Sequence, residues 1–197
     1  LFDDVTMDAP TKITRDITLG DANGHSFAPS ISANGRYVAF HSYASNLVEG
    51  DTNNFSDVFR YDMVLEEMSR ISLAATGGQA DGGSFYPSIS GDGTKVAFSS
   101  EASNLVSFDP NNWISDIFLC DVSTGSNELL SIANYGGGNL GSYDPAVSDD
   151  GKRVVFTSYA SNLIASDTNG KADVFLWDSE EWTSSKTLHR VSATTAA

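Results

Sequence analysis

The chain has 197 residues, long enough for one well-cored domain, and its 26 acidic and 11 basic residues give a formal net charge of −15. This charge argues against binding to nucleic acid, which requires basic patches, and against binding to anionic membrane surfaces. It favours divalent cations, although acidic residues also simply fill loops. The single cysteine, Cys120, excludes an intrachain disulfide, and no apolar run approaches the roughly 20 residues of a membrane span.

The chain opens with two segments that precede the regular part of the sequence. Residues 1–10, LFDDVTMDAP, are an acidic N-terminal extension. Residues 11–25 begin with TKITRDITL, which resembles the stretch EMSRISLAA further along the chain. Because EMSRISLAA is predicted below to be the last strand of a repeat, residues 11–25 are predicted to be an extra, spare copy of that strand.

A repeat of 58 residues fills the rest of the chain. The pattern Pro-x-x-Ser-x-x-Gly-x-x-Val-x-Phe begins at Pro29, Pro87 and Pro145. Three copies in one phase do not arise by chance, so the repeat is the fold. The predicted units are residues 26–83, 84–141 and 142–197.

Each unit contains four predicted short strands. The first strands include Ile31, Ile89 and Val147. The second strands follow Asn-Gly or Asp-Gly turns and end in phenylalanines that are predicted to pack between units, Phe40, Phe98 and Phe156. The third strands are DVFRYD, DIFLCD and DVFLWD, and the fourth are MSRISL, ELLSIA and LHRVSA. No window has a convincing helical period, so we predict an all-β protein.

Tandem four-stranded units are blades of a β-propeller or turns of a stacked β-solenoid. The repeat, with its run PSISANGRYVAFHSYASNLVEGDTNNFSDVF, resembles the TolB-type, WD-like propeller repeats of bacterial secreted and surface proteins over about residues 11–197. The resemblance implies propeller blades and an extracellular or cell-surface location. It does not specify a function, because propellers host many unrelated activities.

Candidate metal ligands lie in the loop between the second and third strands of each unit. The loops share an Asp-x-Asn pair and an aspartate at the start of the third strand; the residues are Asp51, Asn53, Asp57, Asp109, Asn111, Asp116, Asp167, Asn169 and Asp173. Oxygen ligands at this spacing suit a hard cation such as Ca²⁺, the one candidate cofactor. The alternative is that these residues form Asx turns and bind backbone N–H groups.

Catalysis finds little support in the sequence. The histidines His25, His41 and His189 break the repeat, but they are far apart and no acid or cysteine has metal-ligand spacing with them. We expect them to be inert surface residues, and we predict no catalytic residue. Asn46, Asn104 and Asn162 recur in every unit and are expected to be buried and to satisfy loop backbone.

Three units are fewer than the four or more blades of closed propellers, and strand edges with unpaired N–H and C=O groups tend to pair with other chains. Closure must therefore come from another copy of the chain or from a longer chain. We predict a non-enzymatic extracellular structural module that self-associates through its terminal strands, as a ring or as a fibre. The alternative is a propeller that binds a carbohydrate or protein ligand through its repeated Asp/Asn loops.

Overall fold

The computed structural model describes residues 11–133, 136–165, 167–179 and 187–192, and within these the regular structure is entirely β. They form three four-stranded antiparallel sheets and one two-stranded ribbon. The strands are β1 (Ser26–Ile31), β2 (Tyr37–Ser42), β3 (Asp57–Asp62), β4 (Glu67–Arg70), β5 (Ser84–Ile89), β6 (Lys95–Ser100), β7 (Asp116–Asp121), β8 (Ser126–Leu129), β9 (Ile132–Ala133), β10 (Gly136–Gly137), β11 (Ser142–Val147), β12 (Arg153–Ser158), β13 (Asp173–Asp178) and β14 (Thr187–Arg190). The prediction of four-stranded blades is confirmed.

Each blade is a simple antiparallel meander. Blade 1 has the order β1-β2-β3-β4, blade 2 the order β5-β6-β7-β8, and blade 3 the order β11-β12-β13-β14. The first strands begin at Ser26, Ser84 and Ser142, one repeat apart. None of the described residues belongs to a helix long and apolar enough to span a membrane.

The fourth strands end earlier than the sequence predicts. In blade 1 the strand ends at Arg70, whereas the predicted strand continued to Leu73. The ladder stops because the amides of Ile71 and Ser72 both turn to one acceptor, the carbonyl oxygen of Val58. The Ser72 hydroxyl accepts the Val58 N–H at 3.1 Å and thereby replaces the next ladder bond.

Residues 11–25 do not form the predicted spare strand. Among the described residues, their only regular pairing is an isolated bridge between Arg15 and Asp21, which corresponds to the bridge between Leu73 and Gln79 one repeat later. They are therefore the counterpart of the linker that follows a fourth strand. The positions one repeat before β4 are residues 9–12, and two of these four lie in residues 1–10, outside the described residues.

The core lies between blades and has two unlike faces. In blade 2 the face toward blade 1 carries Phe98 and Phe118, whose stacked rings are 5.9 Å apart and fully buried. They pack against the small or branched side chains Ala39, Val58 and Ile71 of blade 1. The predicted interblade positions of Phe98 and Phe156 are confirmed, whereas Phe40 is buried against the 11–25 segment and not against another blade.

The same joint repeats between blades 2 and 3. Ala97, Ile117 and Leu130 of blade 2 pack against Phe156 and Phe175 of blade 3. Each joint therefore pairs the branched face of one blade with the aromatic face of the next.

The two end faces are treated differently. The aromatic face of blade 1, with Phe40 and Phe59, is covered by Ile13 and Ala22 of the 11–25 segment. The branched face of blade 3 carries Val155, Val174 and Val191, which are 38, 40 and 57% exposed. We call these three valines the free face of blade 3.

Candidate functional site

The predicted ligands of the first Asp/Asn loop lie together and form a closed turn. The Asn53 Oδ1 accepts the Phe55 N–H at 3.0 Å, which is an Asx turn. The Asn53 Nδ2 donates to Asp57 Oδ2 at 3.1 Å and to the Ala80 carbonyl at 3.2 Å. The asparagine thus ties the loop both to the third strand and to the linker toward blade 2.

An arginine from the fourth strand compensates the two aspartates of this loop. The Arg70 Nη1 lies 3.3 Å from Asp51 Oδ1 and 3.2 Å from Asp57 Oδ2. All three side chains are buried or nearly so, and burial raises the pKa of Asp51, with Asp57 adding to the effect and Arg70 opposing it. A guanidinium therefore bridges the carboxylates that a calcium ion would need.

Blade 3 has the same arrangement. The Arg190 Nη1 lies 3.0 Å from Asp167 Oδ1 and 3.7 Å from Asp173 Oδ2, and the Asn169 Nδ2 donates to Asp173 Oδ2 at 2.9 Å. The hydrogen bond from the Ser192 hydroxyl, assisted by Asn169 and Arg190, lowers the pKa of Asp173. Asp173 is thereby stabilised in its charged form.

Blade 2 lacks the arginine. In the strand ladders Phe59 pairs with Arg70 and Phe175 with Arg190, but Phe118 pairs with Leu129. The carboxyl group of Asp116 is fully buried and accepts a hydrogen bond from Ser131 on Oδ1. Within the described part of the chain, its Oδ2 has no hydrogen-bond partner.

Burial dominates the electrostatics of this second loop. It raises the pKa of Asp116 to about 7, with the neighbouring Asp109 adding to the effect, and it also raises the pKa of Asp109. The Asn111 Nδ2 donates to the Gly138 carbonyl at 2.9 Å, while its buried Oδ1 is unpaired among the described residues. Among the described residues, no arginine bridges the two carboxyl groups of this loop, because Leu129 stands at the position of Arg70 and Arg190.

The structure therefore divides the nine predicted ligands into two kinds of loop. Each loop brings its three residues together, but in blades 1 and 3 they hold an arginine. Among the described residues, no group of three or more His, Cys, Asp and Glu side chains is arranged to hold a metal. Any cation in blade 2 would need amide or backbone oxygens in addition to Asp109 and Asp116.

The repeated asparagines hold loops in place, as expected, although they are not buried. The Asn46 Oδ1 accepts the Asn23 N–H at 2.9 Å, and its Nδ2 donates to the Asp21 carbonyl at 3.0 Å. Asn104 and Asn162 make the equivalent bonds. Their side chains are partly or largely exposed to solvent, so the predicted burial of these asparagines is wrong.

The expectation of surface histidines is wrong for His41. His25 and His189 are exposed, but His41 is buried in β2, with its Nδ1 3.1 Å from the Ser56 hydroxyl. One signal was available in the repeat, since His41 and its counterparts Ser99 and Thr157 directly follow the phenylalanines that are predicted to be buried. Cys120 behaves as a packed strand residue, and burial raises the pKa of its thiol to about 12.

Comparisons with known proteins identify the fold. No protein-family model matches the chain, and no curated protein matches it. TolB from Acinetobacter baumannii matches 93% of this chain over 35% of its own length, with 18% identity and a TM-score of 0.52. A protein from Agrobacterium tumefaciens assigned as TolB matches 84% of this chain over 48% of its own length, with 19% identity and a TM-score of 0.52. The chain therefore has a TolB-like β-propeller-type fold, and it spans between a third and a half of these two solved structures.

Proposed function

We propose that the chain is a propeller building block that self-associates by packing the free face of blade 3 against a second copy of itself. The observation that carries this proposal is the fate of three repeated positions. Val155, Val174 and Val191 are exposed, whereas their counterparts in the other blades are covered by the following blade. Those buried counterparts are Ala39, Val58 and Ile71 in blade 1 and Ala97, Ile117 and Leu130 in blade 2.

The backbone supports this equivalence independently of the sequence alignment. The Val191 N–H donates to the Val174 carbonyl at 2.7 Å, as the Ile71 N–H donates to that of Val58 at 2.7 Å. The free face thus has the geometry that inside the chain meets an aromatic blade face. Leaving three β-branched side chains in water forgoes burial worth about 25 cal/mol per Å² of apolar surface.

The opposite end of the chain offers the matching surface. A cavity of about 360 Å³ opens on the aromatic side of blade 1, beside the 11–25 segment, and is lined by Leu47, Val48, Tyr61 and Met68 among others. Tyr61 occupies the position of Cys120, which lies in the joint between blades 1 and 2. A head-to-tail contact would place the free face beside this cavity, next to Ile13, which already holds on blade 1 the position that Ile71 holds on blade 2.

This contact packs faces and does not donate a strand. Residues 11–25 already pack on blade 1 through Ile13 and Ala22, so they are engaged within their own chain. Two chains that close head to tail give six blades, and chains that do not close give a fibre. A non-enzymatic role and an extracellular or cell-surface location remain part of this proposal.

The test is the mass in solution of the wild-type chain and of Val174→Arg. A charge on the free face would be buried without a partner in the joint, so the variant should be monomeric. Val64→Arg is the matched control, because Val64 is exposed on the β3–β4 turn of blade 1 and is not among the residues that line the cavity. Light scattering over a concentration series should show assembly for the wild type and the control. A wild-type chain that stays monomeric at the highest concentration refutes the proposal.

The second candidate function, calcium-dependent stabilisation, is supported only in blade 2. There Asp109, Asp116 and the Asn111 Oδ1 would supply hard oxygen ligands, and the buried Asp116 Oδ2 has no partner among the described residues. Calcium at one hundred times its dissociation constant would stabilise the fold by about 2.7 kcal/mol. EDTA should therefore lower the melting temperature of the wild type and of Asp173→Asn, but not that of Asp116→Asn. Equal melting temperatures in calcium and EDTA for the wild type would leave only the turn interpretation.

A further inference from the structure

A strained bulge shapes one end of each first strand. The register of the first two strands of each blade shifts just before the repeated proline, between Phe27 and Ser30 in blade 1. The residue in the bulge has a left-handed backbone that side chains rarely adopt, with φ of 49° at Ala28, 51° at Tyr86 and 54° at Asp144. Bulges of this kind redirect side chains, and backbone strain of this kind clusters at functional sites.

At the border of blades 1 and 2 this bulge brings four aromatic rings around His41. The His41 ring centroid lies 5.6 Å from Phe27, 5.6 Å from Phe85, 5.4 Å from Tyr86 and 6.4 Å from Tyr43. The imidazole is buried, whereas Phe27, Tyr43 and Tyr86 are each about half exposed. The rings therefore stand as walls around a histidine floor, and we call these five residues the aromatic cage.

The cage exists in one copy because the repeat is broken there. Tyr86 has Ala28 and Asp144 as its counterparts, so the neighbouring blades lack one wall. His41 corresponds to Ser99 in blade 2, which removes the floor. Phe27 and Phe85 are counterparts of each other and Tyr43 has Tyr159 as its counterpart, so Tyr86 and His41 are the two residues that break the repeat and complete the cage.

The cage opens into a cavity of about 490 Å³ whose charge is one-sided. Glu101 lies on its rim, and none of the described residues that line it is a lysine or an arginine. The faces of aromatic rings carry negative potential, and the chain has a net charge of −15. Burial lowers the pKa of His41, so its imidazole is neutral near pH 7 and adds no positive charge.

One polar atom of the floor is available. The His41 Nε2 is buried and has no hydrogen-bond partner in the described part of the structure, while Nδ1 lies 3.1 Å from the Ser56 hydroxyl. When Nδ1–H donates to Ser56, the Nε2 lone pair can accept an N–H bond from a ligand.

We infer that the aromatic cage, with Glu101 at its rim, binds an organic cation through an ammonium or guanidinium group. Such a group gains cation–π attraction from several rings at once and a countercharge from Glu101. The ring planes meet at angles from 34° between Phe27 and His41 to 83° between Phe27 and Tyr43, so the walls are not parallel and suit a compact cation better than the flat face of a sugar. The cation could be a free small molecule or a basic side chain of a peptide.

The experiment compares a cation with its neutral isostere on the full chain. Choline and 3,3-dimethylbutan-1-ol differ only in the charged nitrogen, so isothermal titration should give at least about tenfold tighter binding for choline. Arginine amide serves as the probe for a peptide side chain, and cellobiose as the probe for a saccharide. Tighter binding of arginine amide than of choline would indicate a peptide source, and the reverse a free quaternary ammonium ligand.

Two variants place the binding in the cage. Tyr86→Ala removes one wall at a backbone conformation that Ala28 already adopts in blade 1, so the fold should be kept while choline binding weakens about tenfold. Glu101→Gln should weaken it less. Tyr159→Ala is the control, since Tyr159 is the blade 3 counterpart of Tyr43 and does not line this cavity. Equal binding of choline and its neutral isostere, binding of cellobiose alone, no saturable binding of either choline or arginine amide, or unchanged binding by Tyr86→Ala would each overturn the inference.

Discussion

The Asp/Asn loops of blades 1 and 2 have nearly the same sequence but opposite electrostatics. In blade 1 the Arg70 guanidinium bridges Asp51 and Asp57. In blade 2 Leu129 stands in the equivalent place, and Asp116 is left with a raised pKa and an unpaired oxygen among the described residues. A loop motif therefore does not define a site, because its character depends on a residue from another strand.

The difference also shows two solutions to one physical problem. A carboxylate removed from water must find a countercharge or take up a proton. Blade 1 provides the countercharge from within the chain. In blade 2, the pH and the cation concentration of the solution determine whether a proton or an external cation neutralises the buried carboxyl group.

The largest expected effect comes from giving blade 1 the residue of blade 2. Arg70→Leu leaves Asp51 and Asp57 buried without a cation, which should lower the free energy of unfolding by about 3–5 kcal/mol. Urea denaturation at pH 7 measures the loss. Lys95→Leu is the control, because the Lys95–Asp121 pair is about one-third exposed and should contribute about 1 kcal/mol or less. Equal losses in the two variants would show that Arg70 is not a required counterion.

The pH dependence of stability should differ in sign between blades. The folded pKa of Asp116, about 7, lies above the unfolded value of about 3.9, so the folded state binds more protons between these values. In the presence of a chelator, the contribution of Asp116 to the free energy of unfolding should therefore fall by about 1.4 kcal/mol per pH unit as the pH rises through this range.

One variant removes the contribution of Asp116, and a second tests the opposite sign in blade 3. Asp116→Asn should remove the fall, which is measured as the difference between the two unfolding curves at each pH. Asp173 in blade 3 has a lowered pKa, so its contribution is present above the unfolded pKa and is lost as the pH falls. Asp173→Asn should therefore reduce the difference between the free energies of unfolding at acidic and at neutral pH. The same sign for both variants would contradict the assignment.

The smallest effect should come from giving blade 2 the residue of blade 1. Leu129→Arg offers Asp116 a counterion, so at pH 8 the variant should be more stable than Leu129→Gln by about 1–3 kcal/mol, the range of a charge-assisted hydrogen bond. It should also abolish any response of the melting temperature to calcium. A calcium response that survives in Leu129→Arg would place the ion elsewhere.

Much of the fold could be predicted from the sequence, because the repeat carries local information. The third strand Asp57–Asp62 has the predicted bounds, and Phe98 lies in the predicted joint. Both follow from patterns within one unit, where the β-branched and aromatic residues and the Asn-Gly turns act on their own neighbourhood.

The character of the sites could not be predicted, because it depends on contacts between distant segments. Arg70 meets Asp51 only through the pairing of β3 with β4, and its counterpart Arg190 follows a much longer connection that hides the equivalence in the sequence. The aromatic cage joins His41 of blade 1 to Tyr86 of blade 2 across a joint. The free face of blade 3 could be inferred from the number of units, but not the residues that form it.

The end face of blade 1 is covered and that of blade 3 is exposed, so we expect unfolding to begin at one end of the molecule. In linear arrays of repeats each unit is stabilised by its own fold and by the neighbours it touches. Blade 1 has a neighbour on one side and the 11–25 segment as a lid on the other, and blade 2 lies between two neighbours. Blade 3 packs on blade 2 through one face and leaves its free face exposed, so we expect it to fray first and the amides of β12 and β13 to exchange with solvent before those of β6 and β7.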